Sequence, residues 1–248
     1  MKQVLILFLV CFITTLGYSQ NPKLRRFEGW AGVSVFQYFG DIGGSADENN
    51  LMGLKDISIK SNRPGISFGA TFKVNDIIYL NVSNSLGLFA QTDKGSRNST
   101  RDFAFSTIAN ETTIQGQYFF IKEKDNYFFS MMSLRGGSKN IYRCFSFYAY
   151  AGAGSIYFKV TPKESFIGSP RFSDDQSISF AFPIGFGLKI AYTPLLSLGV
   201  DFGGRFTLTD KLDGLASKFS KHNDIYYIMN FKIIYRLPKY IKIRHTYP

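Results

Sequence analysis

Glu111, Lys189, Asp201, Arg205 and Lys232 each stand in a stretch built mainly of apolar, glycine, hydroxyl-bearing and amide residues. Asp201 and Arg205 stand four apart in one such stretch, with Lys189 and Lys232 in the stretches on either side. Charges in that setting must pair or meet water. The set can therefore serve as a salt-bridged plug, as the lining of a narrow pore, or as a seat for a small charged ligand. A second candidate is His222, which stands near Ser217 and Ser220 and could activate a hydroxyl for acyl transfer. The chain has 2 histidines, and the other is His245. Neither belongs to a Cys/His spacing that suits a metal ion. Acidic residues are scattered, so no carboxylate pair stands out for acid–base work. Gly152-Ala153-Gly154 and Arg135-Gly136-Gly137-Ser138 do not follow a strand and open a helix, as a phosphate loop must. The expectation is no enzymatic activity and no cofactor.

Which use the charges have depends on the elements that carry them. From Ile178 to Tyr192 every even position is large and apolar, and the odd positions are small, apart from Pro183 and Lys189. Leu196–Leu208 repeats the pattern, with Asp201 and Arg205 on the small and polar face. Successive strand side chains point to opposite faces, so each segment has one greasy face and one small or polar face. Eight strands are read in this way: Phe27–Phe39, Arg63–Val74, Ile78–Ala90, Phe103–Ile121, Cys144–Phe158, Ile178–Tyr192, Leu196–Leu208 and Ile225–Leu237. Strands one and five are less tidy, with aromatic residues on both faces.

Outward residues are even-numbered in strands two and three, and again in six and seven. The hairpin turns between them must then be odd in length, most simply Asn75-Asp76-Ile77 and Thr193-Pro194-Leu195. Most other connections are long, so short turns alternate with long loops, as in outer-membrane barrels. Residues 122–143 break the alternation, being long where a short turn is expected. Pro183 lies inside a strand of a sheet that has no edge, so a bulge or a local gap in the ladder is expected there.

The N-terminus has the form of a secretory signal peptide. Lys2 precedes the apolar run Val4–Ile13, and small residues Gly17 and Ser19 lead to Gln20. That run is too short to span a membrane as a helix. Only Cys144 lies outside this segment, which leaves no intramolecular disulfide in an exported chain. The organisation expected is a signal peptide at 1–19, an all-β, eight-stranded antiparallel transmembrane β-barrel with long extracellular loops at 20–237, and a basic periplasmic tail at 238–248.

Five short motifs carry a resemblance. They are Tyr38-Phe39-Gly40-Asp41-Ile42-Gly43, Arg63-Pro64-Gly65, Phe182-Pro183-Ile184-Gly185-Phe186-Gly187, Asp201-Phe202-Gly203-x-Arg205 and Thr209-Asp210-x-Leu212-Asp213. With these the chain resembles the small outer-membrane β-barrels of Bacteroidota, especially the PorG-type barrels associated with type IX secretion. The resemblance implies an outer-membrane location and a scaffold role, tethering periplasmic parts of a secretion machine such as a lipoprotein. The family also looks to tolerate proline at the position of Pro183.

Charge placement points the same way. The whole chain carries a formal +11. Sorted by the topology above, the periplasmic parts hold about +8 of it, with Glu28 and Arg236 counted among them. Residues 122–143 contain the apolar run Tyr127, Phe128, Phe129, Met131 and Met132, followed by Arg135. Exposed apolar clusters usually meet something. That run and the tail residues Lys239, Lys242 and Arg244 are therefore assigned to one periplasmic partner surface; the plainer reading is an extension of two strands below the membrane. For the luminal set the reading is a structural polar plug. The alternative is a small ligand-binding barrel or narrow porin-like channel using the outer loops, where Asp41, Asp47, Glu48 and Asp56 lie together. The basic composition could suggest nucleic acid, but an exported chain with lipid-facing strands excludes that partner.

Overall fold

Eight antiparallel strands follow one another around a single sheet in chain order, and the first closes on the last. They are β1 (Phe27–Phe39), β2 (Arg63–Lys73), β3 (Ile78–Thr92), β4 (Phe103–Ile121), β5 (Phe145–Glu164), β6 (Ser177–Ala191), β7 (Leu196–Thr207) and β8 (Ile225–Arg236). The computed structural model describes residues 26–39, 42–43, 61–93, 102–122, 145–170, 172, 177–193, 195–215 and 223–237. The apolar run at 127–134, Arg135, the tail residues Lys239, Lys242 and Arg244, both histidines and the loop acids Asp41, Asp47, Glu48 and Asp56 lie outside them.

The alternation resolves into an inside and an outside. Phe180, Phe186 and Leu198 are 62%, 56% and 48% exposed, whereas Lys189, Asp201 and Arg205 are buried within the barrel. A closed sheet with bulky apolar side chains outside and charges inside is stable only with hydrocarbon as its surroundings. This is the architecture of an outer-membrane β-barrel.

The two short hairpins have the odd turns that parity requires. Val74 and Asn75 both donate their N–H to the Ile78 carbonyl, and Asn75 Oδ1 accepts from the N–H of Ile77 (2.8 Å) and Ile78 (2.7 Å). Thr193 does the same work between β6 and β7. Its Oγ1 accepts from Leu196 N at 2.9 Å, and its N–H binds the Leu196 carbonyl. A side-chain oxygen satisfying turn amides is the reason these residue types sit there. Glu28 pairs in register with Arg236, and Lys73 N–H reaches the Arg26 carbonyl. The two strand ends nearest the termini thus share one rim with the short turns.

Two expectations need correction, and a third resolves between its alternatives. β5 runs to Glu164, six residues beyond the expected Phe158, because its alternation continues through outward Lys159, Thr161 and Lys163. Those residues lack the apolar signal by which the end was read. At Pro183, where a bulge or a local gap is expected, the gap is found and not the bulge. The pairs Ala151↔Ile184 and Gly154↔Ala181 belong to one unbroken register, and only the two pairs between them are missing. The ladder has a gap opposite Phe182 and Pro183, as a residue without an N–H dictates, while Pro183 keeps its pairing with Arg205 on the other side. The one register shift among the described pairings falls instead between Phe119 and Ile121. Finally, Glu28 and Arg236 are not part of an exposed periplasmic face: both are buried in the lumen.

Candidate functional site

The lumen is filled in layers, read here from the turn rim toward the loop rim. Glu28 on β1 forms the first layer with Lys189 of β6 and Arg236 of β8. Lys189 Nζ donates to both carboxylate oxygens at 2.7 and 2.8 Å, and Arg236 Nε donates to one at 3.1 Å. Beside them Phe119 stacks on Tyr148 with centroids 4.7 Å apart and meets Tyr79 at a tilt, 4.2 Å away.

The second layer is Asp201 of β7, which accepts from Tyr148 Oη and from Lys232 Nζ. Lys232 also lies 4.6 Å above the Trp30 ring, a cation–π contact. Trp30 Nε1 in turn donates to Asn81 Oδ1 at 2.8 Å. Asn81 links onward to Gln115 (3.3 Å), and Gln115 to Thr113 (2.8 Å). In the third layer Arg205 faces Glu111 across the barrel at 3.6 Å and donates to the Gly203 carbonyl (2.7 Å) and Tyr150 Oη (3.3 Å). Tyr226 Oη donates to the other oxygen of Glu111. Hydroxyls and amides of Ser34, Ser67, Ser85 and Asn230 complete the wall with bonds of 2.5 to 2.8 Å.

All five predicted luminal residues therefore face inward, but they are not one cluster. Lys189 does not join Asp201; it serves Glu28, a residue that sequence reasoning placed elsewhere. The available signal was the alternation of β1, where even positions carry Glu28, Trp30, Ser34, Phe36 and Tyr38 and all of these are buried. A second departure is the outer third of the lumen. It is not polar but an apolar core of Phe36, Phe89, Phe105, Ile156, Phe158 and Ile228, capped by Phe166, Leu212 and Leu215 from the loops.

An acidic pair sits at the edge of that cap. Asp224, just before β8, accepts from Tyr38 Oη (2.6 Å) and from Leu212 N–H (2.9 Å). Burial away from water, and then the neighbouring charge of Asp213, hold the Asp224 carboxyl well above the ordinary aspartate range. Among the described residues no group of three or more His, Cys, Asp or Glu side chains is placed to hold a metal ion.

Comparison with known proteins gives the following. The sequence profile of the family described as "Domain of unknown function (DUF6089)" matches residues 3–240. No curated protein matches the chain. Among solved structures, the chain is similar to Neisserial surface protein A, with 12% identity and a TM-score of 0.43 over 85% of this chain and 97% of that one. It is similar to Ail, the attachment invasion locus protein of Yersinia pestis, solved with the heparin analogue sucrose octasulfate. There the identity is 12% and the TM-score 0.42, over 86% and 99% of the two chains. Outer Membrane Protein W of E. coli is 18% identical, with a TM-score of 0.38 over 86% and 97%.

Proposed function

We propose a tethering role for this chain, which belongs to the DUF6089 family: it anchors a periplasmic part of a type IX secretion machine to the outer membrane. The observation that carries this reading is the filled lumen. Tyr38, Tyr148, Arg205 and Tyr226 are all fully buried inside the barrel, and their polar heads are engaged by Asp224, Asp201, Glu111 and Tyr150. An interior so occupied is poorly suited to a solute, which leaves the two ends and the outer wall as working surfaces.

The resemblance to PorG-type barrels supports the periplasmic end. So does charge: β8 ends at the turn rim, where the tail with Lys239, Lys242 and Arg244 begins, and β4 ends there before the segment containing Tyr127, Phe128, Phe129, Met131, Met132 and Arg135. A basic and apolar surface of this kind suits a periplasmic lipoprotein with an acidic face. Mild detergent extraction of a tagged chain is expected to bring such lipoproteins with it. Deleting residues 124–138 is expected to abolish their capture while the barrel keeps its heat-modifiable mobility on gels. Capture that survives the deletion would refute the docking surface, and a barrel that comes alone and conducts in planar bilayers would favour the pore.

A further inference from the structure

The lipid-facing wall is not uniformly apolar. On the outside of three neighbouring strands, Asn84 of β3, Thr112 of β4 and Ser155 of β5 stand in register, with Phe68 of β2 and Phe180 of β6 closing the row. Asn110 adjoins them one outward position along β4. Asn84 Nδ2 donates to Asn110 Oδ1 at 2.7 Å and to Thr112 Oγ1 at 2.9 Å, so the amides and hydroxyl form one surface network.

The row lies within the apolar belt and not at its margin. Along β3, Asn84 has Leu80 and Val82 on one side and Leu86 and Leu88 on the other, all turned outward and 37% to 45% exposed. Along β4, Ile108 and Ile114 bracket Asn110 and Thr112 in the same way, at 54% and 57%. A lipid headgroup therefore does not reach the row from either interface. Among the described residues, Asn84 Oδ1, the amide protons of Asn110 and the Ser155 hydroxyl have no protein partner. Hydrocarbon offers them none.

We propose that this face of β3–β5 is a contact between two copies of the chain within the membrane. Both copies are inserted in the same direction, so a two-fold axis relating them runs along the membrane normal and brings residues of equal depth together. A patch can meet itself across such an axis only if it is complementary to itself. A carboxamide meets that condition, since Asn110 presents unused donors and Asn84 an unused acceptor at nearly the same depth. Here Gly116, Ala151 and Ala153 flank the row and let two backbones approach. Toward the loop rim, a shallow groove between Ile66, Leu86, Leu88 and Ile108 adjoins it and can receive side chains of the second copy.

Cysteine crosslinking in intact outer membranes tests this, in a Cys144→Ser background. Oxidation of Asn110→Cys or Ser155→Cys chains is expected to give at least about tenfold more disulfide dimer than Phe231→Cys, an outward position on the opposite wall. The triple variant Asn84→Leu, Asn110→Leu, Thr112→Val keeps an apolar wall. It is expected to retain the mobility shift of a folded barrel yet run as a monomer after gentle extraction. Dimer yields no higher than at Phe231→Cys, crosslinks to a different protein, or a triple variant that remains dimeric would each overturn the proposal.

Discussion

Lys232 is buried in the lumen, bound to Asp201 and lying over the Trp30 ring. Removing one partner of a buried pair leaves the other charge uncompensated, at a cost of about 3–5 kcal/mol. Asp201→Ala should therefore destabilise the barrel by about that amount, read from denaturant unfolding in lipid vesicles. Asp201→Leu with Lys232→Met should recover most of the loss, because the pair rather than either charge is what the lumen needs. Equal losses in the single and double variants would contradict this. Asp224 behaves differently. Its carboxyl binds a proton more tightly when folded than when unfolded, so its stabilising contribution is complete below the ordinary aspartate value of 3.8 and is lost as pH rises through the higher folded value. The thermal midpoint of the native chain should accordingly fall relative to Asp224→Asn as pH is raised. Parallel curves would contradict that assignment.

For the strands, the period-two pattern was enough. β4 has the limits Phe103–Ile121 that alternation gives, and β6, β7 and β8 differ by a residue or so at their ends. What alternation could not say is which distant side chain each inward residue meets. Glu28 sits 161 residues from Lys189 and 208 from Arg236, and no local pattern announces such a partner. Nor could it say how closely the inward side chains of neighbouring strands crowd one another. Gly187 shows why its position takes glycine: a Cβ there would run into the Tyr148 ring and the Asp201 carboxylate. Gly29 faces outward with nothing within 4 Å of the same atom. Gly187→Ala is expected to cost about 1–3 kcal/mol through overpacking, and Gly29→Ala almost nothing, in the same unfolding measurement. A Gly187→Ala chain as stable as the native one would mean that the lumen is looser than its layers suggest.

Taken whole, the described part of the barrel has a filled interior and two unlike ends. The turn end of the lumen is closed by an ion triad, the middle by paired charges and tyrosines, and the loop end by an apolar cap. Planar bilayers containing the chain are expected to show no steady conductance. Discrete, voltage-stable channel openings would show that the plug yields. The sequence announced that charges lie inside but not that aromatic residues close the outer third. Phe36, Phe105 and Phe158 carry the same apolar signal as lipid-facing residues, and only strand parity separates them.

The triad around Glu28 has a bearing on biogenesis. It ties the first strand to the last, so the charged end of the β1–β8 seam is complete only once Arg236 is in place. A chain that stops short of that arginine leaves Glu28 to Lys189 alone and the last pair of the seam unmade.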